Sequence, residues 1–451
     1  MTPLLLRRIL SAAVGTMIAV AVIAAPGPAG AITPQASEIV TVEVVGHEDA
    51  RFVVDGRRYR GPLIITRHVD GLALTERSSI EQYLEGIAEV PFSWPEESLR
   101  AQVVAARTYL VRRLAGGRSA DGRQYGFDIC ATNRCQVYRG VELVEGPSGD
   151  RWLRAVRDTE SELVTYDGRP IEAVYSAMHG SRSRANQDVW GSDPVPYLQP
   201  VDSPEMGRAP FAVWSVELSA DQFVEILRAD GLDVGGGLRS LVVDDPPEGE
   251  GRTTISVATE RGTDEILAPA LKGTFNRHGD ELYPGTLPAP RDGGGRYPEP
   301  LLSYTFSIDH EDVEARPIDA VLPDADRVDR DVIRIDGEGW GHGVGMSQWG
   351  ARIMAEDGAS HAEILEHYYS GAVVASVPDL VPDEVVVGLD WERFEIVVDI
   401  EGSAELRVNG VPVTDLGGGR WIVRSGRSGI AVLPGDAQGF LPPIGNRPWP
   451  R

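Results

Sequence analysis

The segment YLEGIAEVPFSWPEESLRAQVVAARTY, Tyr83 to Tyr109, constrains the fold most. Leu99, Val103, Ala106 and Leu110 recur at helical spacing and predict one buried face. Ser93 and Glu96 fit a capping box, and Pro95 is tolerated in a first turn, where its missing N–H would be unpaired anyway. Gly116-Gly117 ends the helix. Just ahead of it, Glu89 stands between Ala88 and the apolar cluster Val90, Phe92 and Trp94. A carboxylate held against apolar side chains is costly to ionise, so its pKa is expected to rise. The positive end of the helix starting near Trp94 pulls the other way, within about one turn. A carboxylic acid with a raised pKa is the kind of proton donor that glycosidic-bond cleavage uses.

The rest of the chain alternates strand and helix signals. Residues 38–75 read as short strands joined by Asp-Gly turns, and Leu163 to Tyr175 as another pair around Asp167-Gly168. Leu218 to Ala229 is a short amphipathic helix, and residues 284–300 a Gly/Pro-rich surface loop. From Gly337 to Gly345 every second residue is glycine, a backbone free to take conformations closed to other residues. A helix follows from about Ser347 to Gly358, with Ser347 as its N-cap; Ser360 and Glu363 then box the start of another. Residues 382–434 return to strands. The fold class is α+β: a few helices packed on curved, mostly antiparallel sheets, with a small C-terminal all-β appendage over residues 377–451.

Length and composition bound the function. The 451 residues suit two or three domains, and a formal charge of -25 argues against a nucleic-acid partner. Residues 1–31 read as a secretory signal: Arg7 and Arg8, an uncharged run from Ile9 to Ala25, and the small residues Ala29-Gly30-Ala31. An uncleaved membrane anchor is the alternative, although the run is short for a span of about 20 residues. In an exported chain, Cys130 and Cys135 are most simply a disulfide; half of a zinc site would lack further ligands nearby. No metal and no cofactor is expected.

Four ordered blocks resemble the SpoIID/LytB family of bacterial cell-wall proteins. The first is Tyr83, Leu84 and Gly86, then Glu89-Val90-Pro91, Trp94-Pro95 and Ala105 to Tyr109. The second is CQVYRG, Cys135 to Gly140. The third is YSAMHGSRSRANQDVWG, Tyr175 to Gly191. The fourth is GWGHGVGMSQWGA, Gly339 to Ala351. The resemblance assigns residues 32–376 to one such domain, with a β segment at 38–75 and motif blocks at 80–205 and 337–371. It implies an extracytoplasmic, cell-wall-associated protein that acts on peptidoglycan glycan strands in the manner of a lytic transglycosylase. Other family members stimulate cell-wall amidases, so a non-catalytic glycan-binding module that recruits an amidase is the rival reading.

By that resemblance Glu89 is the expected catalytic acid. One carboxylate suffices for a lytic transglycosylase, because the substrate's own C6 hydroxyl can attack the anomeric carbon; most glycosidases need two. Residues weighed for substrate binding are Arg107, Gln136, Tyr138, Tyr175, Ser176, Arg182, Asn186, His342, Ser347 and Gln348. Arg182 and its neighbour Arg184 suit lactyl or peptide carboxylates, since arginine pairs with them through two hydrogen bonds; the alternative is a solvated basic loop. Arg107 can equally pair with an internal carboxylate. His342, flanked by glycines, is placed to approach a ligand and to titrate near neutral pH, or to pin its loop. Glu363 and His367 are four apart on a helix, a metal-like spacing that is more simply a surface pair.

Overall fold

The computed structural model describes residues 41–435 except 48, 233, 235–236, 292–293, 311–331 and 427–428. The expected signal at 1–31 lies outside the described residues. The fold is α+β, with mostly antiparallel sheets and a strand-rich C-terminal region. The chain forms two compact units: one gathers Met1–Glu89, Gly116–Pro147 and Asp383–Arg451, the other Val90–Ala115 and Ser148–Pro382.

The first unit is built on two sheets. Seven strands run in the order Val411–Leu416, Ala404–Val408, Thr41–Gly46, Leu63–His68, Gly71–Ser79, Glu384–Arg393 and Ile129–Cys130. A second sheet of five orders Gly429–Pro434, Gly419–Gly426, Glu395–Glu401, Arg51–Val54 and Arg57–Tyr59. The Asp-Gly turn expected between the last two is present, with Asp55 and Gly56 at φ 49° and 79°, the left-handed pair that a two-residue hairpin needs. The C-terminal strands, expected as an appendage of their own, are shared with N-terminal ones. Val42 faces Val408, and Val385 faces Ser78. The reason is edge pairing: each N-terminal strand left with open N–H and C=O groups is completed by a strand from the far end of the chain.

The second unit carries the long helix Glu96–Gly116. It starts at Glu96, so Ser93 falls ahead of the cap position and the expected Ser93/Glu96 box does not frame it. The expected single buried face is also too narrow: Ala101 to Val111 are buried without a break, as in a helix covered on all sides. The helix Ala220–Ala229 has a Ser219/Gln222 capping box, and its Phe223, Ile226 and Leu227 join Leu271 and Phe275 of helix Ala268–Leu282 in one core. Helices Gln348–Glu356 and His361–Tyr368 start on Ser347 and on the Ser360/Glu363 box, as expected. Among the described residues, no helix is long and apolar enough to cross a membrane.

Candidate functional site

In the first unit, the start of the first sequence block, Tyr83 to Glu89, folds against the second block. Ile87 and Tyr138 bridge antiparallel, the Ala88 N–H donates to the Val137 carbonyl at 2.9 Å, and the Arg139 N–H donates to the Gly86 carbonyl at 2.9 Å. Glu89 ends this short ribbon. Its Oε1 accepts the Val137 N–H at 2.6 Å, and the side chain is half-buried. The Cys130–Cys135 disulfide forms just before the second strand of the ribbon.

The ribbon rests on buried aromatic and polar groups. The Tyr83 and Tyr138 rings stack with centroids 5.1 Å apart, and the Tyr83 hydroxyl donates to Gln136 Oε1 at 3.0 Å. The Tyr138 hydroxyl donates to Glu76 Oε2 at 2.7 Å, while Glu76 Oε1 takes the Arg60 and Gly61 N–H groups. Burial pushes the Glu76 carboxyl up, against the pull of those hydrogen bonds. It pushes the Tyr138 phenol up too, with the Glu76 charge adding to the effect. Gly86 must be glycine, since a Cβ there would stand 2.2 Å from the Tyr138 ring. Gln136 and Tyr138 are therefore buried supports of the Glu89 segment. Glu76 is missing from the sequence reading because it sits alone in a strand, with no motif spacing to mark it.

In the second unit, the third and fourth blocks fold against each other. Met178 and Trp340 exchange both main-chain hydrogen bonds at 2.9 Å, and Tyr175-Ser176 pairs in parallel with Met346-Ser347. Ser176 Oγ accepts the Gly343 N–H at 3.2 Å. The alternating glycines are explained by close approach: a Cβ at Gly341 would meet the Ser176 Cβ at 2.7 Å, and one at Gly345 the Val174 carbonyl at 2.1 Å. Ser347 caps its helix through the Gly350 N–H at 3.0 Å and donates to Glu205. Glu205 is buried and also accepts from Ser203 Oγ and from the His179 and Gly180 N–H groups. Burial raises its carboxyl, and those donors oppose the rise. No sequence pattern singles out Glu205 either. Gln348, the first residue of the helix, is buried.

His342 is held in place. Its Nδ1 accepts the Val344 N–H at 3.1 Å, and the Trp190 ring lies 5.3 Å away. Burial pushes its pKa down to about 4, against a hydrogen bond with the Tyr175 main chain. Titration near neutral pH is therefore not what this ring does; it stays neutral, with its proton on Nε2. The arginines are committed as well. Arg107 is fully buried and donates to the Thr159 and Val156 carbonyls. Arg182 pairs with Asp202 at 3.1 Å and Glu248 at 3.6 Å. Arg184 donates to the Tyr304 carbonyl and Thr253 Oγ1 and lies 3.5 Å from Asp245. Asn186 is buried and pins the loop through Ser192, the Asp193 carbonyl and the Val195 N–H. Glu363 serves its own helix cap, and His367 donates to the Asp202 carbonyl at 2.8 Å. Among the described residues, no group of three or more His, Cys, Asp or Glu side chains is placed to hold a metal.

Comparison with known proteins adds a family. Residues 69–166 match the profile of the SpoIID family, described as Stage II sporulation protein; that span holds the first two blocks. An uncharacterized protein of Brachyspira hyodysenteriae is 28% identical over 324 residues, 71% of this chain and 73% of its own. Stage II sporulation protein D of Bacillus amyloliquefaciens is 26% identical over 315 residues, 66% of this chain and 75% of its own. The Amidase enhancer of Bacillus subtilis is 28% identical over 310 residues, 64% of this chain but 39% of its own.

Proposed function

As a member of the SpoIID domain family, the chain is, we propose, an exported protein that cleaves the glycan strands of peptidoglycan with Glu89 as acid and then base. The observation that carries the reading is the Glu89 carboxyl, half-buried and oriented by the Val137 N–H at the end of a braced ribbon. A proton on the carboxyl passes to the glycosidic oxygen as the bond to the anomeric carbon breaks. The C6 hydroxyl of the same sugar attacks that carbon, and the Glu89 carboxylate takes the hydroxyl proton. The product is a 1,6-anhydro end, the carboxyl is restored, and no second carboxylate is required.

The test is incubation with peptide-stripped glycan strands and mass analysis of the products. Anhydro ends from the parent protein, and none from Glu89→Gln of equal stability, are the expected result. The relative named Amidase enhancer favours a second reading, in which the protein holds glycan and stimulates a cell-wall amidase. Intact strands that co-sediment with the protein, together with faster release of peptide by an added amidase, would favour that reading instead.

A further inference from the structure

Glu76 is a buried carboxylate that the proposed chemistry does not use. It is 2% exposed, and a carboxylate taken out of water is tolerated only with hydrogen-bond donors around it. The Tyr138 hydroxyl donates to it at 2.7 Å, the Gly61 N–H at 2.8 Å and the Arg60 N–H at 3.2 Å. Apolar side chains would hold the same strands together without the cost of burying a charge. What a fixed carboxylate adds is direction, because a charge-assisted hydrogen bond sets the place of its donor. The segment that supplies the two main-chain donors is itself closely packed: a Cβ at Gly61 would stand 2.2 Å from the Arg77 carbonyl, and Arg60 pairs with Glu85 at 3.0 Å.

One residue before Tyr138 is Val137, whose N–H meets the Glu89 carboxyl at 2.6 Å. Both neighbours of Val137 are clamped through their side chains. Gln136 Oε1 takes the Tyr83 hydroxyl at 3.0 Å, and the Tyr138 ring, stacked on Tyr83, ends on Glu76. Gln136 and Tyr138 share the buried side of the ribbon, as residues two apart on a strand do. The amide that meets Glu89 is thus carried between two anchored side chains, and Glu76 is the charged end of that anchorage.

We propose that Glu76 is a positioning residue for the cleavage: through Tyr138 it sets where the Val137 N–H stands, and so where the Glu89 carboxyl meets the glycosidic oxygen. The inference rests on the glycan-cleavage reading of the preceding subsection and adds to it a residue that touches no substrate. A reacting group displaced by about 1 Å loses roughly a hundredfold in rate, even when the change is made far from the chemistry. An acid held by one main-chain N–H inherits any drift of that N–H.

The test compares the full chain with Glu76→Gln, which keeps an acceptor and loses the charge, and with Tyr138→Phe, which keeps the ring and loses the hydroxyl. For each, kcat and KM on glycan strands are measured on fully folded protein, and hydrogen exchange is followed at the Val137 amide. The expected result is a kcat lowered roughly tenfold to a hundredfold, an unchanged KM and faster exchange at Val137. The double variant should lose no more than the worse single one, since both changes cut the same link. An unchanged kcat in the folded variants, a change in KM alone, or losses that simply multiply in the double variant would overturn the proposal. Should Glu76→Gln fail to fold, Tyr138→Phe decides alone. A Val137 amide that exchanges in the unaltered protein as fast as an open main-chain N–H would overturn the proposal without any variant. An unaltered protein that leaves every strand whole fails the glycan reading instead, and is told apart because the exchange measurements need no substrate.

Discussion

Gly350→Ala tests whether glycines in the fourth block are dictated by contact. Inside a helix, alanine ordinarily beats glycine by about 1 kcal/mol. Gly350 is in helix Gln348–Glu356 and is buried. A Cβ there would stand 1.8 Å from the Tyr368 hydroxyl and 2.8 Å from the Ser203 hydroxyl. Tyr368 cannot yield cheaply, since its own exposure is 0% and its hydroxyl lies 2.8 Å from Ser203, which donates to Glu205. Overpacking of this kind costs about 1–3 kcal/mol. Loss of the Tyr368–Ser203 hydrogen bond adds about 1 kcal/mol. After the gain in helix propensity, the net loss is about 1–3 kcal/mol, or roughly 2–12 °C in Tm for a body of this size. Urea unfolding followed by circular dichroism measures it. Gly350→Ala with Tyr368→Phe removes the clashing oxygen, so the pair should be markedly less damaging than the sum of the two single changes. Stability equal to or above the parent in Gly350→Ala, or strict additivity in the pair, would refute the reasoning.

The same physics gives other outcomes. The His179 ring is buried, and burial pushes its pKa down to about 3 from an ordinary 6.5. A base lowered in this way contributes stability above its unfolded pKa and loses it as the pH falls, by up to about 1.4 kcal/mol per unit below 6.5. Tm should therefore decline between pH 6.5 and 4, and His179→Phe should flatten the decline; an unchanged slope would count against it. Arg107→Met takes a buried guanidinium donor from the Val156 and Thr159 carbonyls, of which Thr159 keeps the Glu162 N–H, a loss of about 1–3 kcal/mol. Urea midpoints check this, and a variant that stays fully stable yet loses glycan affinity would show the structural role to be mistaken. Reducing the Cys130–Cys135 disulfide removes about 2 kcal/mol by loop entropy. It should also speed hydrogen exchange at the Val137 amide, which donates to Glu89 two residues beyond Cys135; unaltered exchange there would separate the disulfide from the ribbon.

Local patterns in this chain were readable because local physics set them. The helix starts at Ser347 and Ser360 follow from side-chain capping, and the Asp55-Gly56 hairpin from left-handed backbone. The first and second blocks were readable as units, and the structure supplies the reason that they occur together: Gly86 is small because Tyr138 lies against it, and Tyr83 stacks on that same ring. Long-range pairing was not readable. Val42 and Val408 face each other across nearly the whole chain, and alternation within a strand carries no record of which strand is its neighbour. The buried carboxylates Glu76 and Glu205 were equally silent, because their donors come from separate segments: main-chain N–H groups and hydroxyls that no residue spacing reveals. Arg182 and Arg184 misled for the converse reason, since their partners Glu248, Asp245 and Thr253 lie some sixty to seventy residues away.

Packing accounts for the glycines, tyrosines and buried acids of the motif blocks, and for that reason they say little about chemistry. Glu89 is different. Its carboxyl accepts a main-chain N–H at the ribbon's end, and a glutamine oxygen accepts such a donor as readily as a carboxylate does. That bond by itself asks for an oxygen at that point, not for an ionisable group. What a carboxylic acid adds over an amide is a proton that can leave and return. Glu89→Gln is thus nearly neutral for stability if the bond is all that matters to the fold, within about 0.5 kcal/mol as for substitutions away from a core. A general acid removed in the same change costs about 10²–10⁴-fold in rate. A variant that unfolds would make Glu89 a structural charge like Glu76; one that stays folded and turns over strands at the parent rate would leave the carboxyl without a chemical role.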